Sequence, residues 1–227
     1  MPVGDLPGWK EIFSDDFLTD APLGSFPGTL YPGWTAYPDT YHDTSGNGQY
    51  SPERTLSVQG GVLHINVHTE NGVHYSSAPE PMKGQGQIYG RYAIRFRATQ
   101  MTNDYKAAWL LWPDSDVWPA DGEIDYPEGG LASTFSAFAH YASAAGGQDA
   151  FDTMTTFAAW HTAVTEWAPT GVSFYLDGTL LGTSTTEVPS KAMHFVLQTE
   201  TRLSGGPPSN TSVGELQVDW VAIWAKI

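Results

Sequence analysis

Apolar residues in this chain recur at every second position, and no stretch sustains the three-four spacing of an amphipathic helix, so the chain has to build its core from strands. Leu56 and Val58, a Gly60-Gly61 pair, then Leu63, Ile65 and Val67 read as strand, tight turn and strand. Asn71-Gly72 offers another turn just beyond. Val172-Ser-Phe174-Tyr-Leu176 runs into Asp177-Gly178 and resumes as Thr179-Leu-Leu181, the pattern of a two-residue hairpin. Further strands are expected at Ile88–Arg97, Ala107–Trp112, Gly122–Tyr126, Phe135–Tyr141, His161–Trp167 and Met193–Thr199. The last runs from Leu216 to Trp224, with Val218, Trp220, Ala222 and Trp224 on one face. A short turn of helix is expected only within Asp149–Phe157. The Gly/Pro-rich stretches 22–33 and 204–209 have strand patterns on both sides and so read as surface loops. The expectation is a single all-β domain over residues 1–227, folded as an antiparallel β-sandwich.

Charge narrows the choice of partner. Twenty-five acidic residues stand against ten Lys and Arg, a formal net charge of −15. Phosphate backbones and anionic membranes call for clustered positive charge, so neither a nucleic acid nor a membrane is expected as partner, and a monomer is expected. Charged residues make up only 15% of the chain, against about a quarter in an average soluble domain. Gly, Thr, Ser and aromatics take their place, among them nine Trp and eleven Tyr, a composition that fits an extracellular protein with flat apolar platforms for sugar rings. No charged-then-apolar leader follows Met1, so a secreted protein whose leader is absent from this chain is the expectation. Gly84-Gln-Gly86-Gln-Ile-Tyr-Gly90 misses the dinucleotide spacing and opens no helix; no cofactor is expected for catalysis.

The chemistry concentrates in Trp118-Pro-Ala-Asp121-Gly-Glu123-Ile-Asp125-Tyr-Pro-Glu128-Gly-Gly. On a strand, Glu123 and Asp125 share a face while Ile124 points into the core. Strict alternation would send Glu128 to the opposite face. One extra residue, a β-bulge, brings it back, and Pro127 suits a bulge because no ladder N–H is needed there. Three acids on one face repel one another, and folding does not ask for them. Glycosidic hydrolysis does: one ionised carboxylate attacks the anomeric carbon, and one protonated acid supplies the leaving oxygen with its proton. Asp125, lying between, can hold a proton or hydrogen-bond the nucleophile.

With these residues in place the sequence resembles glycoside hydrolase family 16, in its bulged, laminarinase-like branch with a Glu-x-Asp-x-x-Glu strand. Six segments carry the resemblance in order: Trp9–Phe17, Tyr50–Leu63, Tyr89–Arg95 with Ala107-Ala-Trp109, the acidic strand, Trp160-His161 through Gly178, and Val218-Asp-Trp-Val221. It implies a concanavalin-like jelly roll with a concave substrate cleft, Glu123 as nucleophile, Asp125 as its assistant and Glu128 as acid/base. It also implies that Trp109 and Trp118 line the subsites and that His140 contacts the sugar or the acid/base. For Trp109, a place in the core of an apolar strand remains the alternative. A structural Ca²⁺ held by Asp16, the carbonyl of Gly61 and Asp219 is implied as well.

Late in the chain Phe195-Val-Leu-Gln198-Thr-Glu200-Thr stands where β-glucanases carry an Asn/Gly-rich strand, and Ala78–Gln85 also departs from their pattern. Gln198 and Glu200 share a face and would give the cleft a more polar wall. A retaining endo-hydrolase acting on a polysaccharide, a β-1,3-glucan by default, is therefore the expectation. The alternatives are a galactan-type hydrolase or transglycosylase on the same site, or a carbohydrate-binding protein without chemistry.

Overall fold

A computed structural model describes residues 1–227. Its strands are β1 (Trp9–Asp15), β2 (Trp34–Ala36), β3 (Gly48–Tyr50), β4 (Leu56–Gln59), β5 (Val62–Glu70) and β6 (Val73–Ser76). Then come β7 (Pro79–Pro81), β8 (Gly90–Gln100), β9 (Tyr105–Pro113), β10 (Glu123–Gly130), β11 (Thr134–His140) and β12 (Gln148–Thr156). The chain closes with β13 (His161–Ala168), β14 (Gly171–Leu176), β15 (Thr179–Ser184), β16 (Met193–Thr201) and β17 (Val213–Lys226). One turn of α-helix, Pro52–Thr55, and one of 3₁₀-helix, Met82–Gly84, complete it.

Two large sheets face each other. The first runs β15-β14-β13-β8-β17-β5-β6-β3, with β1 alongside β17 and β4 alongside β5; the second is β12-β11-β10-β9-β16. All pairings are antiparallel save β3 with β6. This is the antiparallel sandwich the alternation predicts. The turns behave as their residues demand: Asn71 and Gly72 have φ of 52° and 81°, and Asp177 and Gly178 have 50° and 82°. Positive φ at both central residues is the turn whose twist matches a hairpin.

The core lies between the sheets. Tyr92, Ile94 and Phe96 of β8 meet Trp109 and Leu111 of β9 and Ile124 and Tyr126 of β10, all in one buried cluster. Each such side chain contributes roughly 1.5–3 kcal/mol on leaving water. The other face of the five-stranded sheet is only partly covered, where Leu110 and Val196 pack against Tyr50 and Ala78, and the acids of β10 emerge there.

Two expectations change. Asp149–Phe157 is not helical: β12 is an edge strand with exposure alternating at every residue. Apolar Ala150, Phe151 and Met154 mimic a helical spacing, but pairing with β11 decides the matter. The second change concerns β17, whose register shifts between Val218 and Trp220. Leu216 and Val218 point into the main core, as do Val221 and Ile223, whereas Trp220, Ala222 and Trp224 pack on the outer side with Trp9. Val218 therefore does not share a face with the two tryptophans, because one bulged residue, Asp219, reverses the alternation.

Candidate active site

β10 supplies the acids. Ile124 sits opposite Leu111 and Asp125 opposite Leu110, and then the register slips by one residue so that Glu128 sits opposite Ala108. Against β11 the same slip pairs Asp125 with Phe138 and Glu128 with Ser136. Three steps along β10 thus match two on each neighbour, and the spare residue falls at Tyr126-Pro127. Ile124 and Tyr126 are buried in the core, while Glu123 and Glu128 line cavities on the open face. The structure brings the three predicted carboxylates together by the expected bulge.

Asp125 is the deepest of them, 3% exposed. His140 Nε2 lies 3.0 Å from its Oδ2, in ion-pair range but off the line of a hydrogen bond. His140, opposite Glu123 in register, therefore attends Asp125 and not the expected acid/base. Ligand atoms of Glu123, Asp125 and His140 all fall within 4.8 Å of one another. A cation can bridge such a spacing, yet a proton shared by two close carboxyls accounts for it as well. Burial, then the charge of Asp125, pushes the Glu123 carboxyl up to about 9. Burial and the charge of Glu128 push Asp125 well above the usual carboxylate range. At neutral pH this pair retains a proton.

Glu128 has a different environment. Lys106 Nζ lies 2.5 Å from its Oε1 and 3.3 Å from Oε1 of Glu200. Burial pulls the ammonium down, but the two carboxylates outweigh it and Lys106 sits above its ordinary value. Glu200 is 2% exposed and raised by burial, with Lys106 opposing. It shares the cleft-side face of β16 with Gln198, as expected, but is covered there, with Thr44 and Asp43 close to its carboxylate. Gln198 does reach the cleft, where its Oε1 accepts a 2.9 Å hydrogen bond from Tyr50 Oη.

Two cavities flank the acids. One, about 410 Å³, touches Glu123 and is lined by Tyr37, Tyr41, Trp112, Trp118 and Gln198. The other, about 350 Å³, touches Glu128 and Lys106 and reaches Asn103, Phe138 and Arg202. Trp118 is 51% exposed at the mouth of the first and stands edge-on to His140 at 6.4 Å. Trp109, in contrast, is fully buried against Phe96 and lines no subsite. Asp125 pairs with Leu110, so even-numbered residues of β9 face the cleft and Trp109 faces the core. The β9 tryptophan on the cleft side is Trp112, whose Nε1 donates to Asp116 Oδ1 at 2.7 Å. Sequence reasoning missed Trp112 and Lys106; the parity that identifies them depends on which residue of β9 meets Asp125.

The calcium trio converges only in part. β17 leaves β5 at Val218 and joins β1 through Val221, which brings Asp219 near Asp16, whose carbonyl approaches Gly61. The Asp219 carboxylate, however, pairs with Arg95. A Ca²⁺ needs six to eight oxygens with net negative charge, and here the guanidinium already compensates that carboxylate. As folded, the set does not fit the ion.

The family model for glycosyl hydrolases family 16 matches residues 42–222. A β-glucanase of Bacillus amyloliquefaciens is 30% identical over 104 residues, 45% of this chain and 43% of that protein. The chain thus spans less than half the length of that relative within the match. Among solved structures, SCLam, described as a non-specific endo-β-1,3(4)-glucanase from family GH16, superposes with a TM-score of 0.79 at 18% identity, over 100% of this chain and 95% of its own. The laminarinase catalytic domain from Thermotoga maritima MSB8 gives 0.74 at 20% identity, over 96% and 99%. These likenesses establish the jelly-roll fold.

Proposed function

Because this chain belongs to glycosyl hydrolase family 16, we propose that it is a retaining endo-hydrolase of a neutral β-linked polysaccharide, a β-1,3-glucan in the first instance. One observation carries the proposal: the bulge in β10 turns Glu128 to the face of Glu123 and Asp125, with Glu123 bordering one cavity and Glu128 the other, each large enough for sugar units.

Glu123, bordering the aromatic cavity, attacks the anomeric carbon as its bond to the leaving oxygen breaks, and Glu128 gives that oxygen its proton. The sugar is then an ester of Glu123. In the second half, Glu128 takes a proton from water, the hydroxyl attacks the same carbon, and Glu123 leaves as a carboxylate. Glu123 must be ionised to begin. The proton retained by the pair belongs on Asp125 at that moment, since Asp125 is cut off from substrate whereas Glu123 faces developing positive charge. Trp112 and Trp118 offer their faces to C–H surfaces of the sugar. The net charge of −15 disfavours an anionic polymer. Such a polymer is met outside the cell, which supports a secreted protein, and no second copy is needed to complete the site.

The test is a panel of laminarin, mixed-linkage glucan, agarose, arabinogalactan and xyloglucan, assayed for reducing ends with the wild type and Glu123→Gln. Cleavage of laminarin or mixed-linkage glucan by the wild type alone is expected, the variant falling about 10³–10⁵-fold. Cleavage by both proteins would remove Glu123 from its role. For Glu128→Ala, azide should restore turnover of an activated aryl glycoside.

A further inference from the structure

The two carboxylates and Asp125 account for the chemistry, yet a buried cluster beside them has no part in it. Lys106 is in register with Gly130 on β10 and with Glu200 on β16, so its ammonium lies between Glu128 and Glu200. The chain has only ten Lys and Arg to set against its acids, and this one is largely withdrawn from solvent. Glu200 is more deeply buried still, with Thr44 and Lys106 against its carboxylate.

We propose that Lys106 is a positioning residue for Glu128, fixing the carboxyl in the cleft and favouring its ionised form through a direct ion pair, and that Glu200 is the counterweight that holds the ammonium between the two. The proposal rests on Glu128 being the acid/base. That residue must carry a proton in the first half of the reaction and lack one in the second. Lys106 favours the second state, through a charge-assisted hydrogen bond at 2.5 Å. Without Glu200, protonating Glu128 would strand a buried ammonium; with it, Lys106 retains an anionic partner throughout. Other charged groups around Glu128 are Glu123 and Asp125 on its own strand, Asp152 behind Ser136 on the β11–β12 side, Arg202 across the second cavity, and Asp43 behind Glu200. Lys106 is the one placed directly on the carboxyl.

Opposite signs distinguish this from a structural role. Glu128 would be followed by ¹³C-carboxyl NMR, assigned with Glu128→Gln, in the wild type, Lys106→Met, Lys106→Arg and Glu200→Gln, alongside kcat/KM against pH. Lys106→Met should move the Glu128 titration midpoint, and the basic limb of the profile, up by about one pH unit. Glu200→Gln should move both down by about half a unit, since the ammonium then turns wholly to Glu128. Lys106→Arg should stay close to the wild type. With an activated aryl glycoside, where the second half limits, Lys106→Met should lower kcat more than it raises KM. Shifts of the same sign in both variants, or none in either with the fold intact by circular dichroism, would overturn the proposal. The NMR arm decides this even if the wild type cuts no polymer, an outcome that would count against the proposed function instead.

Discussion

A carboxyl raised to about 9 in the folded protein weighs on stability as well as on rate. Folded Glu123 holds its proton more tightly than the unfolded chain does. Its share of stability is therefore fully present below pH 4.5 and is lost as pH rises toward 9. Glu123→Gln removes that dependence and should stabilise the protein at pH 7 by on the order of 2–3 kcal/mol while abolishing turnover. Thermal melts of both proteins between pH 5 and 9 would check it: the curves should diverge with rising pH, and parallel curves would refute it. Two tryptophans make a second contrast. Trp109→Ala empties a core position and should cost about 3–5 kcal/mol of stability. Trp112→Ala should leave the melting point within a few degrees and raise KM roughly tenfold. Glu123, Asp125 and Glu128 were legible in the sequence because acids on one strand face have no folding rationale. The choice between Trp109 and Trp112 was not, because both fit an apolar strand and only the partner register gives their direction.

At the level of the strand, β10 does with eight residues of sequence what seven would do with regular pleating. Excising Pro127 removes the spare step, so Glu128 would remain opposite Ala108 and Ser136 on a straight strand, still on the face of Glu123. That deletion should fold and retain measurable activity, lowered because the carboxyl is displaced toward Asp125. Deleting Ile124 instead flips Glu123 relative to Asp125 and should give no activity in the same reducing-end assay. The bulge in β10 was legible because function demanded it. The one at Asp219 was not: nothing in Val218-Asp219-Trp220 announces a reversal, and it arises where β17 must serve β5 with its first half and β1 with its second. The edge strand β12 escaped notice for a related reason, since an exposed strand carries too few apolar residues to display its period.

Over the whole molecule, the sandwich was readable from alternation and from three turn dipeptides, whereas the order of strands in each sheet depends on pairings distant in sequence. With Arg95 paired to Asp219, calcium should matter little: excess EDTA should leave the melting temperature within about 1 °C, and a rise of many degrees on adding Ca²⁺ would show that the ion displaces Arg95 and binds after all. The two cavities lie on either side of the acids, with neither Glu123 nor Glu128 at a dead end. A polymer laid across such a groove is severed in mid-chain, wherever it happens to settle. A thick glucan solution should then turn thin after a few cuts per molecule, long before free sugar accumulates.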